Sequence, residues 1–463
     1  MLSAENNEIL TRVGPGTVMG ELLRRYWTPA ALSMELPEPD APPLRVRLLG
    51  EDLVAFRDSA GKVGLVAEAC PHRGASLYFG RNEECGLRCP YHGWKFDTEG
   101  ACVDMPSEPP ESTFRNRVRL TSYPVHESGG IVWAYLGPRE TMTPFRDFGT
   151  DSLPAERVFA RKQLAMCNWV QTMEGNLDSA HISFLHQFNG AADLPDDGTD
   201  KPGYPSNAMS WRFWAHDGAP RLEVQDTWYG YRYAAIRTTP NENSHVRITD
   251  YCVPYTTVVA SNPFTTRQLM IVPIDDETCW RYNFTTQLDL NPNGYGGEHL
   301  FAVAPFATPF LNPESGITPR EYTAENDYLI DREDQRTTTF SGIRDFVSQD
   351  FMVTESMGPI YDRTKEHLGT TDKAVIRMRN ILLKAAKSLA NGTEPPALAG
   401  PGHDFRTIRS AEKILDTGED WRVLGTDDDP VVQEAMLAAA RLTEPRPPQP
   451  PNHRPTPPHQ PPR

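Results

Sequence analysis

The sequence predicts an α+β protein: a small all-β domain, then a larger domain in which helices flank an antiparallel sheet. Three observations predict it. Residues 44–138 carry short β-type runs broken by turns. Long runs rich in aromatic and β-branched residues return from Arg221 onward. Helical patterns lie on both sides of those long runs.

In chain order, residues 19–27 (MGELLRRYW) read as a short helix. Strand patterns follow at 44–49, 53–57, 64–68 and 131–136, with turn signals at 58–61 and 128–130. Residues 166–186 read as helical. The segments RLEVQDTWYGYRYAAIR, SHVRITDYCVPYTTVVA and TCWRYNFTTQ read as strands, with a hairpin turn near Tyr229–Gly230. Helical patterns resume at 345–362, 372–390 and 431–442. Ten prolines crowd the last twenty residues. Such a segment lacks amide donors and apolar side chains, so a disordered tail is expected at 444–463. The expected organisation is an N-terminal segment at 1–40 packed on the larger domain, the β domain at 41–140, the larger domain at 141–443, and the tail.

Charge narrows the function classes. Lys plus Arg number 46 and Asp plus Glu 62, a net charge of −16 over 463 residues. That balance argues against nucleic acid as a partner. No run approaches the roughly 18 apolar residues of a membrane span. The start, MLSAENNEIL, lacks the basic end and apolar core of a secretory signal. A cytoplasmic protein without membrane contact is expected. Seven cysteines, odd in number and sparse, make a poor disulfide framework.

Two cysteines stand at metal-ligand spacing. Cys70-Pro-His72 is followed, after sixteen residues, by Cys89-Pro-Tyr-His92. Each arm offers one thiolate and one imidazole. Structural zinc sites usually pair their ligands by type within an arm, so zinc is the weaker reading. Mixed arms suit a [2Fe–2S] cluster with two thiolates on one iron and two imidazoles on the other. Gly74 and Gly93 follow near the histidines, where backbone passes close to the cluster. The pattern resembles the Rieske motif, with Cys70 and Cys89 on the inner iron and His72 and His92 on the outer. The loops CPHRGA and CPYHGW lack the extra cysteine pair of respiratory Rieske proteins. That points to an oxygenase-type cluster and leaves Cys85 an ordinary thiol.

A second constellation lies downstream. EGNLDSAHISFLH contains Asp178, His181 and His186. Two imidazoles and a distant carboxylate make the triad of non-haem Fe(II) oxygenases. Five residues on a helix rotate by about 140°. His181 and His186 therefore share a metal only if the helix bends or ends between them. Asp178 and His181 share a face and suit a supporting contact to the imidazole.

The two motifs in this order resemble the catalytic subunit of Rieske non-haem iron aromatic-ring oxygenases. The likeness spans roughly residues 20–390. RRYWTPAAL, CPHRGASL, CPYHGWKFD and QTMEGNLDSAHISFLH are most similar to the branch of phthalate and phenoxybenzoate dioxygenases. The resemblance implies a Rieske domain followed by a helix-grip-like catalytic domain. It implies a third iron ligand on a late helix, with an acidic residue some five positions on. Asp350 fits, with Asp345 and Asp362 as rivals. It also implies head-to-tail packing as a trimer or dimer of trimers, in which His92 of one chain meets Asp178 of the next.

On this likeness, O2 is the co-substrate and a small aromatic molecule the substrate. No dinucleotide loop is present, since Gly14-Pro-Gly16…Gly20 has the wrong spacing. A separate flavin and iron–sulfur reductase would then deliver electrons from NAD(P)H. Cis-dihydroxylation is the reaction of this branch. O-demethylation of an aryl ether uses the same metals, and an electron carrier without catalytic iron would not need the downstream triad. A carboxylated substrate calls for buried arginines. Arg212 and Arg247 lie where the phthalate branch uses them. Apolar candidates for the pocket are Phe184, Leu185, Val253 and Phe301.

Overall fold

The computed structural model describes residues 1–150, 153–260, 264–288, 304–306, 316–395, 403–416 and 418–443. Phe301 and the proline-rich tail lie outside the described residues.

Two short helices open the chain, α1 (Ala4–Thr11) and α2 (Val18–Leu23). Each begins on a hydroxyl cap: Ser3 accepts from the Asn6 amide and Thr17 from that of Gly20. The β domain follows. Its strands are β1 (Thr28–Leu32), β2 (Leu44–Leu48), β3 (Glu51–Arg57), β4 (Val63–Ala67), β5 (Arg81–Glu83), β6 (Gly86–Arg88), β7 (Lys95–Phe96), β8 (Cys102–Asp104), β9 (Ser122–Tyr123), β10 (Val125–Ser128) and β11 (Ile131–Ala134). They form three small sheets, ordered β2-β3-β4-β9, β5-β6-β7-β8 and β1-β11-β10. Every pairing is antiparallel. Cys85 occupies the exposed β5–β6 turn with a left-handed backbone.

The larger domain is built on one antiparallel sheet. Its strands are β12 (Val158–Ala165), β13 (Arg221–Thr227), β14 (Gly230–Thr238), β15 (Ser244–Cys252), β16 (Thr256–Val259), β17 (Thr265–Pro273), β18 (Cys279–Gln287) and β19 (Glu412–Leu415). The order is β12-β18-β17-β16-β15-β14-β13, with β19 added beside β15. Trp228 and Tyr229 make the two-residue turn of the β13–β14 hairpin. Directly opposed residues share a face of the sheet. One face carries Tyr231 and Tyr233, whose hydroxyls donate to Ala374 and Leu177. That face receives the helices. The other carries Ala234, Val246 and Ile248, packed beneath Ala411, Leu415, Trp421 and Leu424 of the C-terminal segment.

Helix α3 (Trp169–Leu177) lies on the helical face, with α4 (Asn207–His216), α5 (Arg332–Thr337), α6 (Phe346–Glu355), α7 (Lys373–Ala390) and α8 (Pro430–Thr443) elsewhere along the chain. Helix α7 buries Ala374, Val375, Met378, Leu382, Leu383 and Ala386, a stripe at helical spacing. The main hydrophobic core joins that stripe to α2, β1, β11, α3 and the sheet. Within residues 1–40, β1 pairs with β11 of the β domain, whereas helices α1 and α2 pack on α7 of the larger domain. Asn168 reinforces this by donating to the Thr11 carbonyl at 2.9 Å. No helix among the described residues is long and apolar enough to cross a membrane.

A buried ion network fixes α3. Glu174 accepts from Arg363 at 3.0 Å and from Arg379 at 2.6 Å, and Arg379 also grips Glu366. Burial pushes the Glu174 carboxyl up, but Arg363 and Arg379 outweigh it and hold it below its ordinary value. Glu174→Gln strips this charge from two buried guanidiniums. It should cost about 3 kcal/mol of stability, read from denaturant midpoints. Because the native pKa is depressed, the contribution is complete above the ordinary glutamate value. It is lost as the pH falls through the native one, so wild type and variant should converge in acid.

Candidate metal centres

The first centre sits on two loops of the same form. Cys70 donates its amide to the Ala75 carbonyl, and Gly74 donates back to Cys70, both at 2.8 Å. Cys89 repeats this with Trp94 and Gly93 at 2.8 and 3.1 Å. The turns close on Gly74 (φ 78°) and Gly93 (φ 76°), in the left-handed region that favours glycine. A Cβ at Gly93 would also stand 2.7 Å from the Pro106 ring. The pairing thus brings the two arms face to face. Cys70 and Cys89 are buried, and the His72 and His92 rings lie 4.5 Å apart.

The donor set fits the cluster chemistry. Burial pushes the Cys70 thiol up to about 11, and the neighbouring Cys89 adds to this. A thiol so raised stays protonated at neutral pH unless a metal takes the proton's place. The buried Nδ1 of His92 has no hydrogen-bond partner among the described residues, as a ring nitrogen kept for a metal would not. His72 stacks on Trp94 at 4.3 Å, and the Trp94 indole is held by Ser107 at 3.0 Å. Tyr91 tilts over His92 at 3.9 Å and is exposed.

The second centre begins where α3 ends. Asn168 caps the helix start by accepting from the Val170 amide at 3.1 Å. The helix stops at Asp178, whose backbone is extended (φ −85°, ψ 116°). Asp178 Oδ1 accepts from the Ala180 amide at 2.7 Å, and a 3-10 turn at His181–Ser183 follows. The continuous helix expected over 166–186 is therefore confined to 169–177. This local turn competes with the helix ladder and swings both imidazoles to one side.

Asp350 meets them from α6. His186 Nε2 is 3.0 Å and His181 Nε2 is 3.7 Å from Asp350 Oδ1. One ligand atom from each of the three lies within 4.8 Å of the others. The rivals stand elsewhere. Asp345 caps α6 by accepting from the Ser348 amide at 2.6 Å. Asp362 binds Thr364 and Lys365 near the surface. Burial raises the Asp350 carboxyl, but His186 and His181 outweigh it and hold it low. His181 is held below its ordinary value by burial and by His186.

Neighbours set the ligand orientations. Gln349 Oε1 lies 2.6 Å from His186 Nδ1, and its own amide donates to the Ile343 carbonyl at 2.6 Å. With Oε1 accepting, His186 carries its proton on Nδ1 and turns a bare Nε2 toward Asp350. Phe346 stacks on His186 at 3.9 Å. Glu355, five residues after Asp350, receives both Arg320 nitrogens at 2.7 and 2.8 Å, the Tyr328 hydroxyl at 2.7 Å and the Met166 amide at 2.9 Å. It clamps α6 to the approach of α3. Asp178 Oδ2 is 3.7 Å from His181 Nδ1, in electrostatic reach but too long for a hydrogen bond.

The remaining sequence candidates divide. Arg247 lies on the helical face, 3.7 Å from Glu412 and over the Trp214 ring, and its charge opposes protonation of His181. Arg212 turns to Asp200 at 3.8 Å and to Met209. Leu185 follows the triad turn, its amide donating to the His181 carbonyl at 2.8 Å. Phe184 stands exposed against Phe340 and is not enclosed. Val253 is buried in the main core, its carbonyl taken by Arg146. Gln349 and Phe346 carry no motif of their own, whereas Glu355 is the acidic residue five positions after Asp350 that the family likeness implies.

A family described as Rieske [2Fe-2S] domain matches residues 26–124, and one described as LigXa C-terminal domain like matches 134–442. The chain is 37% identical over 449 residues to the phthalate 4,5-dioxygenase oxygenase subunit of Pseudomonas putida, covering 94% of this chain and 98% of that one. It is 37% identical over 441 residues to the 3-chlorobenzoate-3,4-dioxygenase oxygenase subunit of Comamonas testosteroni, covering 91% and 97%. Among solved structures, dicamba monooxygenase bound to dicamba superimposes with a TM-score of 0.53 at 19% identity, over 80% of this chain and 99% of that one, a likeness of fold. The chain belongs to the Rieske oxygenases that join a Rieske [2Fe–2S] domain to a LigXa-like C-terminal domain, and it is an oxygenase subunit of that family.

Proposed function

We propose that this subunit hydroxylates a carboxylated aromatic substrate, by cis-dihydroxylation, with O2 as co-substrate. The observation that carries the reading is the presence, in one chain, of two converging donor sets of different chemistry. Cys70, His72, Cys89 and His92 would hold the [2Fe–2S] cluster, and His181, His186 and Asp350 a mononuclear Fe(II). When bound, the cluster supplies one-electron transfer and the iron a three-ligand site with open positions for O2. The carboxylated class is supported by the two relatives, one named for phthalate and one for 3-chlorobenzoate.

The protein's own groups prepare the sites. Gln349 holds His186 in one tautomer, Phe346 fixes its ring, and Glu355 anchors the helix bearing Asp350. Gln349→Leu should weaken iron retention about 10–100-fold, measured by chelator competition. Electrons come from NAD(P)H through a separate flavin and iron–sulfur reductase. The subunits assemble head to tail as a trimer, His92 of one facing Asp178 of the next. Exposed aromatic residues beside both centres support that contact: Tyr91 at His92, and Phe184 and Phe340 near the triad. The free cysteines suit a cytoplasmic setting.

The test is turnover with a ferredoxin-type reductase, phthalate isomers, 3-chlorobenzoate and an aryl methyl ether, with products identified by mass. A cis-dihydrodiol from a carboxylated ring is expected. Formaldehyde from the ether with no dihydrodiol would replace this reading with O-demethylation.

A further inference from the structure

Among the arginines on the helical face of the sheet, Arg247, Arg267 and Arg281 carry charges that are only partly balanced. Register places them. Arg247 opposes Ala235, Thr249 opposes Tyr233, and Tyr233 reaches the end of α3. Tyr251 opposes Thr257, Thr257 opposes Leu269, and Val259 opposes Arg267. Ile271 opposes Arg281. Alternation along each strand therefore turns Arg247, Arg267 and Arg281 to the face that α3 and the triad occupy.

Their partners are few. Arg247 shares Glu412 with His245, and its Nε is buried without a hydrogen bond among the described residues. Arg281 donates to Gln163 at 3.2 Å, and its buried Nε likewise has no partner there. It feels Asp350 and Asp345 only at a distance. Arg267 has no carboxylate at ion-pair distance among the described residues. Its nearby charges are Arg247 and Arg281, and burial with these like charges pulls its pKa down to about 10. Part of its surface stays open. Asp350, the acid whose charge Arg281 feels most, stands with His181 and His186 in the triad.

Uncompensated guanidiniums so placed are costly unless an anion joins them. A planar carboxylate is the matching anion, since the guanidinium fork binds it through two parallel hydrogen bonds. The triad lies on the same side of the sheet: His181 feels the charge of Arg247, and Asp350 that of Arg281.

We infer that Arg267 and Arg281, together with Arg247, form an anion cradle on the sheet floor that grips the substrate carboxylate and directs the ring toward the triad. This rests on the carboxylated-aromatic reading and assigns its specificity to two arginines carried by no sequence motif. Arg267 is the central member, because it lies between the other two charges and has no acid of its own.

The test is calorimetric binding to the purified holoenzyme of phthalate, 3-chlorobenzoate and the neutral 3-chlorobenzamide, for wild type, Arg267→Met, Arg281→Gln and Arg267→Lys. Arg267→Met and Arg281→Gln should each weaken carboxylate binding about 10–100-fold and change amide binding less than about threefold. Arg267→Lys should fall between. The ligand-free Arg267→Met protein should melt higher than wild type, because a repelled buried charge is gone, whereas a purely structural arginine would lower the melting point. Carboxylate binding unchanged in both neutral variants, or amide binding lost equally, overturns the cradle. Wild type that binds the amide and no carboxylate overturns the carboxylated-substrate reading itself, and the cradle with it.

Discussion

Asp350→Ala is expected to remove the mononuclear iron and abolish hydroxylation while the Rieske absorption stays intact. Asp350 is the only carboxylate among the described residues that stands with His181 and His186 as a ligand set. Its removal leaves two imidazoles, both resting near the end of α3, and no donor from α6. The fold should survive. Asp350 takes no part in the α6 cap, which Asp345 supplies, or in the anchor of that helix, which Glu355 supplies. Metal analysis should show a loss of about one iron per chain, and the visible spectrum of the cluster should be unchanged. An active Asp350→Ala enzyme would move the third ligand elsewhere.

Asp178→Asn should retain both metals and lose about 10–100-fold in reductase-coupled turnover. The amide keeps the oxygen that accepts from Ala180, so the turn that positions His181 is preserved. What changes is the charge 3.7 Å from His181 Nδ1. In the head-to-tail trimer proposed above this charge would also face His92 of the neighbouring subunit, and the loss would then fall on communication between centres. Rapid-mixing of the pre-reduced enzyme with O2 and substrate separates this from metal loss: reoxidation of the cluster should slow while iron content holds. Reoxidation at the wild-type rate would confine Asp178 to shaping the turn.

What the sequence reveals follows from how local each requirement is. The Rieske quartet is legible because each arm is a closed turn of a few residues, and the turn fixes ligand spacing and glycine together. The demand that His181 and His186 share a metal calls for a bend or end between them; the helix ends earlier, at Leu177, where helical periodicity alone runs on. Asp350 can be reached through the family likeness, but only the packing of α6 separates it from Asp345 and Asp362. Gln349 acquires its role from a ring more than 160 residues away in sequence. Arg267 and Arg281 are each the single charged residue of their strands, and the strand sequences alone do not say which face either takes. Only the register that joins β15 to β18 turns them inward, and Arg212, which looks equivalent in sequence, is drawn to Asp200.

The most direct test of two distinct metal centres in one chain is iron and acid-labile sulfide analysis of the anaerobically purified wild-type protein. The account predicts about three irons and about two sulfides per chain, two irons from the cluster and one from the triad. About two irons with two sulfides, unchanged after incubation with Fe(II), would contradict it and leave a Rieske electron carrier in its place.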